Sequence, residues 1–100
     1  MPIPENSEFF YLSLKERKPR HDWPAGLKSM WWDVKGNWEA SHNIAQEISS
    51  HDGSWIHAYL HRKEGDRFNA EYWYRAANKP YPKISLEEEQ KVLVAHFLGK

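Results

Sequence analysis

The chain has no cysteine, which excludes disulfides and thiolate-bound metals. It has no excess of either charge, because 14 Lys and Arg balance 14 Asp and Glu. Without a basic excess to draw phosphate backbones, nucleic acid is not an expected partner. No apolar run approaches the ~20 residues of a membrane span. The opening Met1-Pro2-Ile3-Pro4-Glu5 lacks the basic-then-apolar order of a signal peptide. Together these absences predict a cytoplasmic protein with no membrane partner. There is also no Gly-x-Ser-x-Gly elbow and no Gly-rich phosphate loop. Nucleophilic catalysis therefore finds little support, and no cofactor is expected.

What the chain does have is aromatic side chains: six Trp, five Tyr and four Phe in 100 residues. A chain this short buries only about two-thirds of its unfolded surface, so its core needs large side chains. Each aromatic ring can bury about 150–250 Å². Trp and Tyr also carry an N–H or O–H that wants a partner when buried. A mixed core is expected, with rings bonded to His, Asn, Asp and Glu.

Helical periodicity and caps run through most of the sequence. After a loose N-terminus at 1–6, Ser7 can cap a short helix over 7–17, although this aromatic run would also suit a strand. Asp22 and Pro24 open the next helix, whose stripe is Trp23, Leu27, Met30, Trp31 and Val34, and Gly36 stops it. A second helix from Asn37 to Ser49 shows Trp38, Ser41, Ile44, Ala45 and Ile48 on one face. The short link makes the two antiparallel neighbours, a first helical hairpin over 22–50. A third helix, capped by Asp52 or Ser54, runs to Glu64, and Gly65-Asp66 breaks it. The fourth runs from Arg67 to Asn78, giving a second hairpin over 52–79. Two prolines, Pro80 and Pro82, end it. Ser85 to Glu88 reads as a capping box for a C-terminal helix over 85–98. The fold expected is all-α, a single helical domain over 1–100.

The stretch from His51 to Pro82 resembles one tetratricopeptide repeat. Ala58 stands at the small position of the first helix, Gly65-Asp66 at the turn, and Ala70, Tyr74, Ala77 and Pro82 at the small, aromatic and proline positions of the second. Two close-packed helices need small side chains where they face each other, so Ala58 and Ala70 are expected to meet. Trp55 lies one place late for the pattern, and His57 and His61 stand where Leu and Tyr are usual. Residues 24–82 also resemble a group of small uncharacterised bacterial proteins, which implies a fold and no activity. The resemblance implies a protein or peptide interaction module, with a homo-oligomer also compatible. Its binding face is the inner side of the first helix, which here carries Trp55, Tyr59, Arg62 and Lys63. Two cations beside two rings suit a carboxylate with an apolar neighbour.

A second constellation comes from spacing alone. His57, His61 and Glu64 stand at i, i+4 and i+7, so they share one face of the third helix. Two histidines so spaced can chelate a divalent ion if a third ligand completes the site. His42 can complete it only if the second and third helices pack with those faces together. The expectation is a polar pocket of His42, His57, His61 and Glu64, structural or pocket-lining, with no metal held in the protein as purified. A small metal- or His-dependent enzyme and a structural subunit are the alternative readings.

Overall fold

The computed structural model describes residues 6–99. The loose segment expected at 1–6 lies, except for Asn6, outside them. Among the described residues every regular element is helical. α1 (Ser7–Leu12) runs into a 3-10 turn at Ser13–Lys15. α2 (Ala25–Lys35), α3 (Trp38–Ala45), α4 (His51–Lys63), α5 (Arg67–Ala76) and α6 (Leu86–Phe97) follow. The all-α expectation is met, and the aromatic run at 7–15 is helix and not strand. None of these helices is long and apolar enough to cross a membrane.

Local chemistry sets the boundaries. Asn6 caps α1 by accepting from the Phe9 N–H, so Ser7 is inside the helix. Asp22 does not cap α2, because it accepts from the Arg20 guanidinium at 3.2 Å, and Pro24 takes the cap position instead. Gly36 and Gly65 end α2 and interrupt α4–α5 with φ of 100° and 87°, a conformation open mainly to glycine. α4 starts before its expected caps, at His51. The Asp52 carboxylate instead accepts from His96 of α6 at 2.9 Å. Asp66 caps α5, and the Ser85–Glu88 capping box opens α6 as its sequence predicts. α3 and α5 end at Ala45 and Ala76, short of Ser49 and Asn78. Asn78 itself is left-handed, with φ of 61°.

Consecutive helices pack in pairs, α2 with α3 and α4 with α5, and α6 lies against α2 and α4. The first pair is pinned by buried hydroxyls. Ser29 Oγ donates to the Ser41 carbonyl at 2.8 Å and meets the Ser41 hydroxyl at 3.1 Å. In the second pair, Ala58 and Ala70 are both wholly buried. α2 and α6 approach so closely that a Cβ on Gly26 would stand 2.2 Å from the Phe97 ring. The core is aromatic and aliphatic together, with Phe10, Trp31, Leu27, Ile56, Tyr59 and Leu93 fully enclosed. The expected mixed core is present: the Trp31 indole donates to Ser13 Oγ at 3.0 Å, holding the N-terminal helix on α2.

Candidate functional site

α3 and α4 do pack with their histidines together. His42 Nε2 and His57 Nε2 face each other at 2.9 Å, one donating and the other accepting. His61 completes the group. The three residues offer ligand nitrogens that all lie within 4.8 Å of one another. The rings of His42 and His57 are nearly perpendicular, at 87°, while those of His57 and His61 are nearly parallel, at 17°.

Two tryptophans hold these rings. Trp38, one turn before His42, stacks on it with centroids 4.8 Å apart. Its indole N–H donates to the Leu60 carbonyl at 2.8 Å, which fastens α3 to α4 beside the trio. Trp73 of α5 stacks on His57 at 4.0 Å and 9°. His57 is thus enclosed between Trp73 and His61. Burial above all, and then the neighbouring His42 and His61, push its imidazole down to about 4. Burial likewise lowers His42, with His61 adding to it.

Carboxylates stand behind His61. Its Nδ1–H donates to Glu64 Oε1 at 2.7 Å, and Asp66 Oδ2 lies 3.8 Å away. In a neutral ring this bond places the proton on Nδ1 and leaves the lone pair on Nε2. A carboxylate behind a histidine is the arrangement that orients a metal-ligating imidazole and raises its basicity. Asp66 is mostly engaged elsewhere, accepting from the backbone and side chain of Asn69. Glu39, which precedes His42 by one turn, makes no hydrogen bond to the trio.

The face formed by Trp55, Tyr59, Arg62 and Lys63 is assembled quite differently. All four polar groups end on two internal carboxylates. Glu89 of α6, 2% exposed, accepts from Trp55 Nε1 at 3.2 Å, Arg62 Nη1 at 2.8 Å and the Tyr74 hydroxyl at 2.6 Å. Asp33 of α2, also 2% exposed, accepts from the Tyr59 hydroxyl at 2.7 Å, Lys63 Nζ at 2.8 Å and Gln90 Nε2 at 2.8 Å. The chemistry inferred for this face, cations and rings gathering a carboxylate, is present. The carboxylates here belong to the chain itself. Burial, with Asp33 beside one and Glu89 beside the other, raises both phenols well above their ordinary range. Among the described residues no buried side-chain nitrogen or oxygen lacks a partner.

Sequence reasoning passed over Asp33, Glu89, Gln90, Trp38 and Trp73 as parts of these sites. Glu89 gave a signal: it lies between Leu86 and Leu93 at i+3 and i+7, a charge on the apolar side of its helix. Trp73 gave none, because its stacking on His57 depends on how α5 crosses α4. No protein-family model matches this chain, and no curated protein or solved structure matches it either.

Proposed function

We propose that this protein binds a divalent transition-metal ion through His42, His57 and His61. The observation that carries this reading is the convergence of three imidazoles from two helices within 4.8 Å. Imidazole donors suit Zn²⁺, Cu²⁺ and Ni²⁺ and do not suit Ca²⁺ or Mg²⁺. With an ion bound, His42 and His57 would each present Nε2 to it, the proton that lies between them being carried instead on Nδ1 of the donor ring. Glu64 stays behind His61 as its orienting carboxylate. A set of three protein ligands is the pattern of reactive metal centres rather than of closed structural ones. An ion held there would supply Lewis acidity and would lower the pKa of a water it carried.

Titrating untagged protein with Zn²⁺ and Ni²⁺ by calorimetry tests the proposal. One ion per chain is expected, with binding lost in His57→Ala and His61→Ala. His21→Ala and His51→Ala, which alter histidines outside the trio, should bind as wild type does. Unchanged stoichiometry and affinity in both trio variants would overturn the reading.

A second reading, the helical interaction module of tetratricopeptide type, is favoured by the α4–α5 pair. Gly65 makes the turn, and Ala58, Ala70, Tyr74 and Ala77 are buried at the positions the resemblance assigns to packing. The α4 face that such a module offers to a peptide carries α6 here, so a partner's site must lie beside α6 and not beneath it.

A further inference from the structure

Beside α6 there is such a place. A cleft of about 270 Å³ opens between Trp55, Tyr74, the Pro80–Pro82 linker and the outer side of α6. Its walls are apolar, and two of them, Ile84 and Val92, are 40% and 47% exposed, among the large hydrophobic side chains left open to solvent. Ile84 and Val92 flank the same cleft, so its mouth presents apolar surface to solvent. The charges of the lining are Lys79, Lys83 and Glu89. Glu89 lies at the base, already bonded by Arg62, Tyr74 and Trp55, so its charge is offset from within. Lys79 and Lys83 are exposed at the rim, and Lys79 Nζ lies 4.1 Å from the Trp55 ring centroid. With Arg62 answering Glu89, the rim carries two positive charges that make no ion pair among the described residues, over an apolar slot.

We infer that this cleft receives the free C-terminus of a polypeptide whose last side chain is apolar. The carboxylate meets Lys79 and Lys83. The side chain covers Ile84, Val92 and the ring of Pro82. Charge complementarity selects an anion, and the apolar walls select one attached to a hydrophobic group. The slot has room for about one or two residues, so recognition is of a chain end and not of a long segment.

The test is an NMR titration of isotopically labelled full-length protein. The probes are acetyl-Gly-Gly-Leu with a free carboxyl, the same peptide as its C-terminal amide, and N-acetyl-leucine. The free-acid peptide should shift the Trp55 indole, Ile84 and Val92 signals in a saturable way, and the amide should bind at least about tenfold more weakly. A Lys79→Gln, Lys83→Gln double variant, altered only at exposed positions, should lose the binding. Equal affinity for acid and amide, an unaffected double variant, or no shift at these residues would overturn the inference. N-acetyl-leucine binding as tightly as the peptide would overturn the choice of a chain end in favour of a small acid. None of these signals depends on the histidine trio, so the outcome is independent of metal binding.

Discussion

The indole N–H of Trp38 on α3 donates to the main-chain carbonyl of Leu60 on α4 at 2.8 Å, and the same indole stacks on His42. One side chain thus sets both the separation of the two helices and the position of a histidine between them. Trp38→Phe keeps the ring and removes the donor. The Leu60 carbonyl still accepts from the Glu64 N–H, so the expected loss of stability is about 0.5–1.5 kcal/mol. Ion affinity should fall as well, because His42 loses its anchored support. Urea unfolding and calorimetric titration of the same preparation measure the two effects. A variant that binds ions as wild type does would show that Trp38 acts only through packing.

Glu89→Ala removes the common acceptor of Trp55, Arg62 and Tyr74. Arg62 is left with one bond to the Ile84 carbonyl and a charge without its counterion. Breaking a buried pair this way costs about 3–5 kcal/mol, much more than a surface pair is worth. Equilibrium unfolding of the variant should show an earlier midpoint with little change in slope. A loss below about 1 kcal/mol would mean that water replaces the carboxylate freely.

The metal-free protein should weaken as the solution is acidified through the histidine range. His57 is held neutral in the fold down to about 4, against an ordinary value of 6.5. Between those limits the unfolded chain binds a proton that the folded chain refuses, so stability falls as pH falls. Above the ordinary value this group has no effect. Comparing urea midpoints at neutral pH and at about pH 5 in wild type and His57→Gln isolates its share. The variant should lose less stability on acidification, and equal losses would assign the acid sensitivity to other groups.

A methyl group on Gly53 would fall 2.1 Å from the Ile48 carbonyl oxygen. Gly53→Ala therefore pushes the first turn of α4 away from the segment that ends α3. The expected cost is about 1–3 kcal/mol, as for other overpacked contacts. Because His57 lies one turn further along α4, the displacement should also disturb its pairing with His42. Thermal unfolding reads the first effect, and the imidazole NMR signals of the two residues read the second.

Much of the helical layout was legible because it is local. Gly36, Gly65, Asp66 and the Ser85–Glu88 box act within a turn of where they stand, and each ends or starts a helix where its chemistry indicates. Local chemistry misleads where another side chain takes the group. Asp22 and Asp52 look like caps, yet Arg20 and His96 take their carboxylates. The i, i+4 spacing of His57 and His61 put them on one face, but His42 joins them only through the packing of α3 on α4. The face of Trp55, Tyr59, Arg62 and Lys63 reads in sequence as a place for a partner's carboxylate, and in the fold its polar groups meet the chain's own. That the carboxylates are Asp33 and Glu89, from helices before and after it, is a property of the whole fold.

The two internal carboxylates also differ in when they become available. Asp33 precedes Tyr59 and Lys63 in the chain, so during synthesis it has emerged before them and can take both as soon as α4 forms. Glu89 follows Arg62 by 27 residues and arrives only with α6. A growing chain therefore carries α4 with Lys63 already answered and Arg62 still waiting. The helices as far as α5 can assemble around Asp33. Arg62 stays in water until α6 closes over it, so the seating of α6 is what brings this cation its counterion.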